Sequence, residues 1–259
     1  MAKKNRNSLK NAFRDGAQPS AESFGDLIDS VLNVVDEGFE KTDVDGFKIT
    51  QLGGNGKLIS FYENLSVRQA TWSIRLGREN QQLIVGSDSG EPVLTLAAGN
   101  GESKTPARVG INNSKPAHEL DVDGVVAARG RIGSDKGQVK ADGLWHDITP
   151  ALDGCRAFEV MAGVGEKESG RYALVNAVAI NTFNRNGKIN CQQSHFGSRC
   201  DKIELRWVGE THAYTLQVRT RCAYGEHVVI QYFLTDLWFD PFMQASDTRQ
   251  STPLPGGEN

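Results

Sequence analysis

Residues 108–133 read RVGINNSKPAHELDVDGVVAARGRIG. Apolar and polar side chains alternate at Val109 and Ile111, the pattern breaks over Asn112 to Pro116, and it resumes at Leu120 and Val122. A period of two sets one side of a short strand against a core and the other in water, so two brief strands around a polar turn are expected here. Asp123-Gly124 supplies a further turn, because glycine accepts a positive φ at no steric cost.

Upstream, from Asp43 to Ala107, the same short β patterns recur. Their apolar marks are Phe47 with Ile49, Leu58 with Phe61, Trp72 with Ile74 and Leu76, Leu83 with Val85, and Val93 with Leu94 and Leu96. Glycine clusters at 53–56, 86–90 and 99–101 separate them. Each run carries only two or three large apolar residues, too few for a core within one chain, since strands are stable in water only when several share an apolar face. Copies of the chain wrapped about an axis would supply the missing partners.

Downstream, Ser134 to Gly143 is polar and glycine-bearing and reads as a linker or a final turn. From Leu144 to Asp240 aromatic residues and cysteines concentrate and the candidate strands lengthen: Arg156–Val164, Arg171–Thr182, Ile203–Val208, Ala213–Cys222 and His227–Phe239. Ile203, Leu205 and Trp207 share a face opposite Glu204 and Arg206, while Tyr214, Leu216, Val218 and Cys222 lie opposite Thr215, Gln217, Arg219 and Arg221. Antiparallel strands at this spacing predict a β-sandwich. The Ser-, Pro- and Gly-rich tail from Met243 to Asn259 has the composition of a disordered segment.

At the other end, NSLKNAFRDG (7–16) reads as a short helix closed by Gly16, and Ser20 is placed to cap a second helix from Ala21 to Val35. On that second helix Phe24, Leu27, Ile28, Val31, Leu32, Val34 and Val35 form one broad apolar face. It is too short for a self-sufficient coiled coil, which leaves docking on copies of itself, docking on a neighbour, or an ordinary amphipathic hairpin within its own domain.

The order V-G-I, then Pro116, then LDVDG resembles a segment of phage tail fibres and of contractile injection-system fibres that precedes a C-terminal functional module. The N-terminal LKNAFRDGAQPSAESFGDLIDSVLN resembles the attachment segment of tail-fibre-like proteins. LWHDITPALDGCRAFEV, ALVNAVAINTF, IELRWVG, YTLQVRTR and LTDLWFD resemble an uncharacterised terminal module of such fibres. The resemblance implies a homotrimer attached by its N-terminus to baseplate or tail proteins, with Phe24, Leu27, Ile28 and Val31 and then Val109, Ile111, Leu120 and Val122 in an inter-chain core. It also implies a head that meets a cell-surface glycan or protein, or a neighbouring subunit.

A net charge of −3 gives no electrostatic case for nucleic acid. No apolar run approaches the roughly 20 residues needed to span a bilayer, so membrane insertion is not expected. The N-terminal MAKKNRNSLKNAF lacks a signal peptide's apolar centre, which implies synthesis in the cytoplasm and release as part of a phage or phage-like particle. The four cysteines, Cys155, Cys191, Cys200 and Cys222, include no C-x-x-C pair and read as buried free thiols rather than a zinc site, with Cys191–Cys200 the disulfide considered.

Catalytic signatures are absent from the sequence: there is no G-x-S-x-G, no H-E-x-x-H, and Gly54-Asn55-Gly56-Lys57 continues into Leu58 where a phosphate loop requires Ser or Thr. The two D-V-D-G segments, 43–46 and 121–124, offer two carboxylates each, short of the six to eight oxygens that calcium takes, and read as turns. His146 with Asp147, and His195 near Cys191 and Cys200, are the places for a general base; Glu159 and Asp153 are the carboxylates a glycan hydrolase would draw on. For ligand binding the better candidates are Arg206, Arg219 and Arg221, with Tyr224 and His227 near them in sequence, because guanidinium forks grip carboxylates and aromatic faces stack on sugars. The alternative is a solvated sheet face or trimer contacts, with Trp207 and Trp238 in the core.

The expected fold class is thus mainly β: an N-terminal helical attachment segment (1–42), a slender β-rich trimeric shaft (43–143), an antiparallel β-sandwich head (144–242) and a flexible tail (243–259). The expected function is that of a structural, adhesive, non-enzymatic fibre component without cofactor or metal. A fixed baseplate or shell component, and a secreted effector or glycan hydrolase, are the alternatives.

Overall fold

The computed structural model describes residues 4–31, 38–51, 54, 56–64, 66–77, 81–87, 90–99 and 105–247. The protein is mainly β, and the chain divides into two compact units, Met1–Ala127 and Ala128–Asn259.

The first unit opens with two short helices, α1 (Arg6–Ala12) and α2 (Ala21–Asp29). Asn5 and Ser20 cap them, each side-chain oxygen accepting from the backbone N–H three residues on. Phe13 meets Phe24 edge-on at 5.2 Å between ring centroids. α2 is shorter than its apolar periodicity predicts: it closes at Ser30, whose hydroxyl donates back to the Asp26 carbonyl. Leu32, Val34 and Val35 lie outside the described residues, as does the tail beyond 247. Val31 lies past the helix end and is exposed, as are Phe24 and Ile28 on the helix, and Leu27 is half-buried.

A hairpin follows, β1 (Phe39–Thr42) with β2 (Gly46–Ile49), turning at the first D-V-D-G segment. Next come β3 (Lys57–Phe61), β4 (Trp72–Leu76), β5 (Gln82–Ser87), β6 (Pro92–Ala97), β7 (Arg108–Ile111) and β8 (Leu120–Val122). They form one six-stranded sheet in sequence order, antiparallel except for the final β7–β8 pair. The left-handed residue of the 108–133 stretch is Asn112, at φ +54°, where β7 ends; Gly124 bends without a positive φ.

The register of this sheet stacks its apolar residues into two ladders on one face. Ile59, Ile74, Val85, Leu94, Ile111 and Val122 pair in succession across all six strands. Two residues along, Leu76, Leu83, Leu96, Val109 and Leu120 do the same across five. Every one of these side chains is half-buried or exposed, Leu120 being 65% exposed. The only buried hydrophobic residues among the described residues of this unit are Ala70 and Ile84.

The second unit contains β9 (Asp135–Lys140), β10 (His146–Asp147), β11 (Cys155–Glu166), β12 (Arg171–Thr182), β13 (Lys188–Phe196), β14 (Ile203–Glu210), β15 (Ala213–Thr220) and β16 (Val229–Asp236). They make an antiparallel five-stranded sheet, β13-β12-β11-β16-β9, and a three-stranded sheet, β10-β15-β14. One hydrophobic core joins the two sheets. Phe158, Val160, Ala162, Val175 and Ile230 come from the larger sheet, and Ile203, Tyr214, Leu216 and Val218 from the smaller. The linker reading of Ser134–Gly143 does not hold, because Asp135–Leu234 through Lys140–Val229 is continuous strand pairing. Trp207 packs against the core beside Tyr214, whereas Trp238 is 39% exposed and is not a core residue.

Candidate binding surface

The smaller sheet turns its polar side outward, and there the structure brings together Arg206, Arg219 and Arg221. Arg206 and Arg219 stack their guanidinium groups against the indole of Trp145, at 4.2 and 4.4 Å from the ring. Trp145 reaches them because β10, immediately after it, pairs with β15 from His146↔Val218. Glu204, opposite Arg219 on β14, accepts from Arg219 Nε and Nη2 at 2.9 and 2.7 Å and from Arg221 Nε at 3.0 Å. Burial raises the Glu204 pKa, but the two arginines outweigh it and hold the carboxyl below its ordinary range.

Arg206 donates through Nε to Gln217, and Gln217 and Thr215 both donate to Asp147. Three cations thus face two carboxylates, Glu204 and Asp147, in a connected network. Arg219 is held by both a carboxylate and a ring, Arg206 by the ring and Gln217, and the half-exposed Arg221 by Glu204 alone. The sequence carries no signal that Trp145, Glu204 and Asp147 are partners of the arginines, since the cross-strand register that joins them exists only in the fold.

Tyr224 and His227 do not join this surface. Tyr224 is buried; its hydroxyl donates to the Asp201 carbonyl, and Arg171 lies 4.2 Å over its ring. Arg171 in turn binds the buried Asp201 carboxylate at 2.7 Å, and that carboxylate also accepts from the Ser198 backbone and hydroxyl. Burial raises the Asp201 pKa, and the Arg171 and Ser198 bonds overcome this and lower it. His227 is exposed in the turn before β16.

Of the four cysteines expected as buried free thiols only Cys155 is one, and the disulfide is not Cys191–Cys200. Cys200 is bonded to Cys222, Cys155 is a buried free thiol, and Cys191 is an exposed one. The backbone dictates the pairing: Cys222 N–H donates to the Cys200 carbonyl, bringing the turn after β13 against the end of β15.

The other candidate acid–base groups are engaged in structural pairs. His146 binds Asp142 at 2.8 Å, Asp153 binds His212 at 2.9 Å, and Glu159 pairs with Arg131. His195 lies on β13 opposite Ala173. Among the described residues no group of three or more His, Cys, Asp or Glu side chains is placed to hold a metal ion, and no helix is long and apolar enough to cross a membrane. Compared with known proteins, the chain matches no protein-family model and no curated protein.

Proposed function

We propose that the protein is a homotrimeric, fibre-like component of a phage tail or contractile injection system, attached by its N-terminal segment. Its C-terminal β-sandwich head is presented to a cell surface or a neighbouring subunit. The supporting observation is the pair of apolar ladders on the six-stranded sheet. An apolar face spanning six strands, in a unit whose described residues include only Ala70 and Ile84 as buried hydrophobics, is an incomplete core. Identical copies of the sheet packed ladder to ladder about a common axis would complete it. Val109, Ile111, Leu120 and Val122 lie on those ladders, which gives the motif of residues 108–133 an inter-chain packing role rather than a ligand-binding one. The C-terminal unit, by contrast, has its own core.

In this reading the protein transforms no substrate. Three linked heads raise effective affinity by presenting sites together, without a new contact at any one of them. Val109→Glu and Ile111→Glu test the inter-chain core. Each should dissociate the full-length assembly while the near-ultraviolet signature of the packed C-terminal aromatics persists. An assembly of unchanged mass in both variants would refute the placement.

A further inference from the structure

The outer face of the five-stranded sheet carries a groove of about 760 Å³ that crosses the strands. Its floor is Gly163 on β11, where the sheet presents no side chain. Strand pairing sets Gln138, Gln231, Gly163, Leu174 and Ser194 in one transverse row from β9 to β13. The next row holds Gly165, Tyr172 and Phe196.

Tyr172 lies directly on the backbone of Gly165, where a Cβ would collide with its ring. Its hydroxyl accepts from the Glu168 N–H at 2.9 Å, so both ends of the side chain are fixed. Phe196 stands beside it, 67% exposed. The side chains of Gln138, Gln231 and Ser194 have no hydrogen-bond partner among the described residues, and no Asp, Glu, Lys or Arg lines the groove.

We propose that this groove binds a neutral oligosaccharide. The fixed Tyr172 ring and the exposed Phe196 ring match the apolar faces of pyranose rings. Uncommitted amides and a hydroxyl, which both donate and accept, match sugar hydroxyls. With His195 as its one basic side chain and no Lys or Arg, the lining suits a neutral glycan better than an anionic one. A lipid or an apolar peptide would leave the three polar side chains desolvated and unpaired, which costs affinity. The proposal deepens the adhesive reading of the C-terminal unit and rests on it.

The test applies the full-length chain to an array of immobilised neutral hexose and N-acetylhexosamine oligosaccharides alongside sialylated, uronate-containing and sulfated ones. Binding should be confined to neutral glycans. Gly163→Val, whose Cβ would meet Leu174 Cδ1 at an ordinary 3.4 Å, should fill the floor and lower binding at least tenfold with an unchanged melting temperature. Phe196→Ala and Gln231→Ala should each weaken it, and Trp145→Ala should leave it intact. Retention of no neutral glycan, retention of anionic glycans alone, or binding indifferent to Gly163→Val and Phe196→Ala would overturn the proposal. Loss of assembly mass in Gly163→Val would assign the groove to a subunit contact and overturn it too. The wild-type assembly mass reports separately on the fibre reading, so a silent array with an intact trimer removes only the glycan site.

Discussion

The Gln193 side-chain amide binds both backbone groups of Ile203, donating to its carbonyl at 3.1 Å and accepting from its N–H at 3.2 Å. The bonds tie β13, the edge of the larger sheet, to β14, the edge of the smaller one, and so close one side of the C-terminal core. Gln193→Ala would orphan two backbone groups next to a fully buried isoleucine. It should cost about 1–3 kcal/mol, read as a lower urea midpoint with an unchanged slope.

The Cys200–Cys222 disulfide closes a loop with a sequence separation of 22. Thiol titration of denatured, unreduced protein should give two equivalents, and four after reduction, of which the native unreduced fold exposes only Cys191. Burial raises the Cys191 pKa despite the opposing effects of Gln193 and Lys202, so its alkylation should remain slow at neutral pH. Removing the cross-link should destabilise the unit by about 3 kcal/mol on chain-entropy grounds.

Stability should fall at both extremes of pH. Asp201 and Glu204 have folded-state pKa values below their ordinary 3.8 and 4.5. Their contribution is therefore complete above about pH 4.5 and is lost as pH falls through the lowered folded-state values. Arg171→Met, which strips Asp201 of its cation, should cost about 3 kcal/mol near neutrality and flatten this acid limb. At the other end, burial pushes the Tyr214 phenol from 10.0 up to about 12, and it donates to the Gly154 carbonyl at 2.8 Å. A raised phenol pKa gives stability that is complete below pH 10 and lost as pH rises towards 12. Ultraviolet titration should show this tyrosine ionising last, and Tyr214→Phe should cost about 1 kcal/mol.

Most of the strands were legible in the sequence because their alternation records a buried face. β2 and the ladder strands β3 to β8 lie where their apolar pairs predicted, and β14 and β15 present the faces that their period-two pattern assigned. The strands that escaped are all sheet edges: β1, FEKT, inside the segment expected to be helical, β10, HD, and the two edges of the five-stranded sheet, β9, DKGQVK, and β13, KINCQQSHF. An edge strand is fixed by hydrogen bonds to its one neighbour, and polar residues there carry no periodic signal. Period-two alternation makes the three arginines legible as polar-face residues, whereas Tyr224 carries no such signal. It follows the end of β15 in sequence, but its chain turns inward, with its N–H on the Ala141 carbonyl and its hydroxyl on Asp201. The groove over Gly163 was also hidden, since its row is drawn from five strands.

The central claim is that the apolar ladders are an inter-chain core, and the mass of the purified particle in solution tests it most directly. Sedimentation equilibrium at micromolar concentration should give three times the 28.3 kDa of one chain, about 85 kDa. A mass of 28.3 kDa for the folded protein under those conditions would contradict it.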